Sequence, residues 1–114
     1  MVTFDEDPLE VVKRFFKSES GGRFPPFEDY RDVDRKGIVG FTHKLGGTPV
    51  YLMFPETFTD RFCKKLPRAM VLEALRREKL LVPGSQGRPR KQVRVKGGDE
   101  RQTFYVIRRA ILDR

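Results

Sequence analysis

Cysteine, histidine and long apolar runs are nearly missing from this chain of 114 residues, and each shortage narrows what it can do. Cys63 stands alone, so no internal disulfide can form, and a reducing, cytoplasmic setting is expected. Its neighbours Arg61, Phe62 and Lys64 favour a small packed hydrophobe over a reactive thiol. His43 is the one histidine, so neither a Ser/His/Asp grouping nor a His/Cys zinc set can be assembled. No glycine-rich phosphate loop ending in Lys-Ser or Lys-Thr occurs; Gly84-Ser85-Gln86-Gly87 lacks the lysine and reads as a turn. Asp29, Asp32 and Asp34 lack the glycine and terminal Glu of a calcium loop, and a charged linker describes them better. No apolar run approaches the ~18 residues of a membrane span. The acidic opening is wrong for a secretory signal. The expectation is a protein that binds and does not catalyse, with no cofactor, no metal and no membrane partner.

Aromatic and basic residues are plentiful. Ten Phe and three Tyr suffice for the single core that a chain of this length can bury. Lys plus Arg number 24 against 16 Asp plus Glu, a net charge of +8. The excess is uneven. Residues 1–37 hold 7 basic and 9 acidic side chains, whereas residues 38–114 hold 17 and 7, a net of +10. A half so charged is drawn to phosphate backbones by counterion release, whatever the base sequence.

Local signals place the elements. Asp7, Pro8 and Glu10 have the spacing of a helix start, and Leu9, Val12 and Phe16 continue an apolar stripe to about Ser18. Gly21 and Gly22 stop that helix; Phe24-Pro25-Pro26-Phe27 cannot prolong it, and residues 28–36 read as an exposed charged connection. Residues 38–43 and 50–54 around Gly46-Gly47 suggest a β-hairpin. A helix opens at Pro55 and runs through Cys63. A second follows Pro67 and runs to Lys79, burying Val71, Leu72 and Leu75. Strands are expected at 92–96 and 102–107, then a short helical turn at 108–112. Two short helices joined by a tight turn and followed by a basic hairpin is the winged-helix order. The expected fold is therefore an α+β, winged-helix-like domain at 38–114, preceded by an N-terminal helix and charged linker at 1–37 and carrying an extra hairpin.

Two groups of cations are candidates for nucleic-acid contact. The first is on the hairpin and its approach: Arg88, Arg90, Lys91, Arg94, Lys96 and Arg101. Val93 and Val95 alternate with Gln92, Arg94 and Lys96, so one face is apolar and the other cationic, suited to a phosphate track. A solvated strand face is the bland alternative. The second group is Lys64 and Lys65 in the turn, with Arg68, Arg76 and Arg77 on the following helix. Glu73 lies on the same side, and Glu73 with Arg77 also has the spacing of an ordinary helix ion pair. Phe41, Tyr51, Phe54, Phe104 and Tyr105 fall in strands, where core packing outweighs base stacking; Tyr105 is the best of them for stacking.

Several motifs resemble a known group. These are Tyr51-Leu52-Met53-Phe54-Pro55-Glu56-Thr57-Phe58, Phe62-Cys63-Lys64, Pro67-Arg68-Ala69 with Ala74-Leu75, and Leu80-Leu81-Val82-Pro83. Together with Ser20-Gly21-Gly22-Arg23-Phe24 and Gly37-Ile38-Val39-Gly40-Phe41, they resemble the C-terminal region of helicase-like, also primase-like, proteins of phages, plasmids and integrative elements. The likeness covers most of residues 9–107. A second resemblance is to the C-terminal domain of conjugative relaxases of mobile elements, which place a strand ending in Leu-Val-x-Pro before a short helix and a basic hairpin. Both imply DNA processing during element replication or transfer. In the first family an ATP-hydrolysing motor precedes this region, and its nucleotide-binding motif does not occur in this sequence. The resemblance thus implies an accessory DNA-binding role beside a helicase or primase motor. The alternative is a protein-docking module of the same machinery that makes no nucleic-acid contact.

Overall fold

The structure is a computed structural model that describes residues 7–19, 23–34, 36–64, 66–95 and 98–113. Helix α1 spans Pro8–Glu19 and buries Val12 and Phe16. Its start is capped as the sequence predicts: the Leu9 amide donates to Asp7 Oδ1 at 2.9 Å. The Gly21-Gly22 stop lies outside the described residues.

Strands β1 (Gly40–Leu45) and β2 (Thr48–Met53) pair antiparallel, Phe41 opposite Leu52 and Lys44 opposite Pro49. Gly46 and Gly47 join them with φ of 56° and 83°, the doubly left-handed turn that suits a two-residue hairpin and favours glycine. Helices α2 (Pro55–Phe62) and α3 (Arg68–Arg77) follow, then β3 (Leu81–Val82), β4 (Lys91–Arg94) and β5 (Arg101–Arg108). A short 3-10 turn over Arg109–Asp113 buries Ile111.

The sheet runs β1-β2-β5-β3, and β4 also pairs with β5. Leu81 and Val82 sit opposite Ile107 and Val106; Lys91 to Arg94 sit opposite Phe104 to Arg101. Thus β3 and β4 are two pieces of one line along β5, interrupted at residues 83–90. With β2 on the other side of β5, and α1, α2 and α3 in sequence, this is an α+β winged-helix-like fold. The β4–β5 ribbon is its wing, and β1 extends the sheet beyond the winged-helix set.

Both faces of the sheet are covered. Tyr51, Met53, Tyr105 and Ile107 join Val12, Phe16, Phe58, Leu72 and Leu75 in the core under the helices. Val50, Leu52, Phe104 and Val106 point the other way, against Phe27, Tyr30, Phe41, Val93 and Val95. The alternation of side chains along β2 and β5 divides the two cores.

Phe27 and Tyr30 provide the second cover, so within the expected exposed connection at 28–36 Tyr30 is the buried exception while its charged neighbours are exposed. A 3-10 turn at Phe27–Asp29 turns Phe27 and Tyr30 inward, 2% and 6% exposed, while Glu28, Asp29, Arg31 and Asp32 face solvent. Phe27 meets Phe41 and Phe104 edge to face, at 5.4 and 5.6 Å between centroids. Burying two large rings against a bare sheet face outweighs the solvation of the charges around them, which stay in water. Arg31 then reaches Glu100 at 3.2 Å and ties this layer to the wing.

Helix α3 ends in a tight reversal. Lys79 N–H donates to Arg76 O at 3.0 Å and Leu80 N–H to Leu75 O at 2.8 Å, so Lys79 occupies the left-handed position that glycine usually fills. Its φ is 58°. The reversal delivers the fully buried Leu80 to the core and starts β3 beside β5. Among the described residues no helix is long and apolar enough to cross a membrane.

Candidate nucleic-acid interface

The interruption between β3 and β4 gathers the densest unpaired positive charge. Gly84 N–H donates to Arg88 O at 2.7 Å, and Arg88 N–H donates to Ser85 O at 3.1 Å, which closes residues 84–90 into a tight excursion. Gln86 and Gly87 turn it, both at positive φ. Arg76, from the last turn of α3, donates from Nη2 to Gly87 O at 3.4 Å and so lies against the excursion. Arg88 and Arg90 project from the excursion, and Arg77 from the neighbouring helix turn, all solvent-exposed. Among the described residues, no salt bridge involves Arg76, Arg77, Arg88 or Arg90. Lys91, half-buried opposite Phe104, continues the same line.

The wing is more nearly neutral than its sequence suggests. Arg94 Nε donates to Gly98 O at 2.8 Å, and Arg94 Nη2 pairs with Asp99 Oδ1 at 3.2 Å. Arg31 engages Glu100. The acidic residues of the turn therefore each pair with an arginine, Asp99 with Arg94 of the wing and Glu100 with Arg31 of the covering layer. Arg101 remains exposed directly opposite Arg94. Like charges at facing positions of a strand pair repel, and the Asp99 carboxylate on Arg94 offsets that repulsion here. By the alternation along β5, Arg101 and Thr103 share the face of Tyr105 and Ile107, the face on which the helices lie. Arg68 Nη1, at the start of α3, donates to the Tyr105 hydroxyl at 3.5 Å and carries that face onto the helix.

The candidates of the α2–α3 turn separate. Lys64, just past the end of α2 and exposed, pairs with Asp60 at 3.0 Å, a weak surface ion pair. Lys65 and Lys96 lie outside the described residues. Glu73 is exposed in mid-helix, and no salt bridge joins it to Arg77 among the described residues. On the exposed side of α3, Arg68, Ala69, Met70, Glu73, Arg76 and Arg77 form one surface. Met70 is the one large hydrophobic residue exposed among those described.

The strand aromatics are structural. Tyr105 is 1% exposed and stacks on Phe58 at 4.0 Å, so it offers no face to a base. Tyr51 stacks on Phe16 at 4.6 Å, and Phe41 and Phe104 are buried. The stacked rings of Tyr51 and Tyr105 fill the gap between sheet and helices, and Phe41 and Phe104 pack edge to face with Phe27 on the other side.

Two titratable groups are shifted. Partial burial lowers the His43 pKa below its ordinary value, and the nearby Glu28 carboxylate opposes the shift. Burial raises the Cys63 thiol, with Arg68 pulling the other way. Cys63 packs against the helix-side core as a small hydrophobe. Among the described residues no three His, Cys, Asp or Glu side chains come together as metal ligands would.

The excursion at 84–90 escaped sequence reasoning as a distinct element. Its glycines and prolines mark a loop, but the docking of Arg76 on Gly87 depends on where α3 ends. Comparison with known protein families and with curated proteins finds no match.

Proposed function

We propose that this domain binds DNA as an accessory module of a mobile-element replication or transfer protein, next to a helicase or primase motor in the same or another chain, within the cytoplasm. The observation that carries the reading is the docking of Arg76 on the 84–90 excursion, which sets the exposed Arg76 and Arg77 beside the exposed Arg88 and Arg90, none of them in a salt bridge among the described residues. Four arginines held near one helix end repel one another, and a phosphate backbone relieves that repulsion. Their planar guanidiniums can each hold two phosphate oxygens. The exposed side of α3 and the Arg68–Arg101 face of the wing lie on the same side of the sheet, so a duplex seated on α3 would meet both. The resemblance of residues 9–107 to helicase- and primase-like proteins supplies the context, and the role is binding without catalysis.

The test is fluorescence anisotropy with labelled duplex and single-stranded DNA across a salt series, wild type against R76A/R77A/R88A/R90A. Four phosphate contacts contribute about −3.6 to the log–log salt slope on duplex DNA, and the variant should lose that much. Affinity indifferent to salt, or a slope kept by the variant, would transfer the reading to a protein-docking module.

A further inference from the structure

A groove of about 890 Å3 opens between the wing and the β1–β2 turn. The cations of the first interface do not line it, except Arg94. Its exposed apolar wall is Pro26 and Pro49, behind which Phe27 and Val95 lie buried in the layer on the sheet face away from the helices. Its volume lies within the roughly 300–1,000 Å3 typical of small-ligand sites.

Charge around the groove is mainly positive. Among the described residues that line it, Lys44, Arg94 and Arg109 face the carboxylate of Glu28, and Arg94 is paired with Asp99. Lys44 and Arg109 are exposed and form no salt bridge among the described residues. The Arg109 guanidinium lies 5.7 Å from the centre of the Tyr51 ring, a cation–π contact that holds it in place before any ligand arrives. Arg94 is fixed by Gly98 and Asp99. His43 also lines the groove, its ring edge-on to Phe27 at 5.1 Å.

We infer that this groove seats a short single-stranded segment of nucleic acid, a base against the apolar wall and its phosphates on Lys44 and Arg109. The inference rests on the nucleic-acid reading above and adds a second site to it. Three features favour this occupant. The exposed rings of Pro26 and Pro49 beside Lys44 and Arg109 match a base with its flanking phosphates. The imidazole of His43 lines the groove and in its neutral form offers one donor and one acceptor, as the edge of a base requires. Arg94 belongs both to the wing and to the groove, so the two sites adjoin and a strand leaving a duplex on the wing has a short path to the groove.

The experiment compares a short labelled oligothymidylate with a labelled duplex on three proteins: wild type, K44A/R109Q, and R76A/R88A/R90A. Urea midpoints establish that each variant is folded. The expected result is a crossed pattern. K44A/R109Q loses about ten-fold or more in oligothymidylate affinity with duplex binding nearly unchanged, and the excursion variant does the reverse. Equal losses on both ligands in both variants would overturn the inference, because one diffuse basic surface would then serve both. Unchanged oligothymidylate binding by K44A/R109Q would also overturn it. So would displacement of the oligonucleotide by polyglutamate at matching charge concentration, which would make the groove a peptide site. Absence of any binding by wild type would instead bring down the nucleic-acid reading itself.

Discussion

Replacing Gly84 with alanine separates the shape of the 84–90 excursion from its function. Gly84 has φ of −84°, which any residue adopts, so backbone conformation is no obstacle. Space is the obstacle. A Cβ at this position would overlap the Arg90 carbonyl oxygen and press on Arg90 C and Lys91 Cα at 3.1 and 3.2 Å. Backbone atoms cannot rotate away as a side-chain tip can, so the excursion must open. Overpacking of this kind costs about 1–3 kcal/mol, and the Gly84–Arg88 hydrogen bond contributes about 1 kcal/mol more if it breaks. Because the excursion is at the surface and can relax, a loss near ~2 kcal/mol is expected, a shift of about 1 M in the urea midpoint at a slope of ~2 kcal/mol/M. Opening also moves Arg88 and Arg90, and two lost phosphate contacts reduce the duplex salt slope by about 1.8. Gly87 is the control: its φ is +73° with nothing within 4 Å of a built Cβ, so alanine there costs about 1–2 kcal/mol through conformation alone. Wild-type stability in G84A would refute the closed excursion. Lost stability with an unchanged salt slope would show that the excursion is closed but not part of the DNA contact.

Two further outcomes concern stability alone. K79G should raise the unfolding free energy by about 1 kcal/mol, because Lys79 holds a left-handed φ of 58° at the end of α3 that glycine adopts without strain; urea titration reads it, and an unchanged or lowered midpoint would contradict the capping geometry. For His43 the sign follows from its lowered pKa. The unfolded chain binds the proton more readily, so stability is lost as pH falls through the ordinary value of 6.5 towards the folded value and is present above it. Urea midpoints at pH 7.5 and 5.5 should therefore differ more in wild type than in H43Q, and equal differences would mean that His43 is solvated in the fold.

The sequence alone determined the order of elements and the sign of the surface. Asp7 and Pro8 start α1, the Gly46-Gly47 pair turns the first hairpin, and Pro55 and Pro67 open α2 and α3; each signal acts within a turn of backbone, where a residue's own dihedral limits decide. The concentration of charge in residues 38–114 is likewise independent of folding. Tertiary structure decided which of those charges remain available. Arg94 and Asp99 meet because the wing turn closes on itself, Arg31 finds Glu100 across the fold, and Arg76 reaches Gly87 because α3 ends beside the excursion. It also decided that Tyr30, amid charged neighbours, is buried while Glu28 and Arg31 beside it are exposed, since only the bare face of the sheet makes that burial favourable. Local propensity is read over a few residues, whereas ion pairing and packing join residues far apart in the chain, and their outcome exists only once the sheet has brought them into contact.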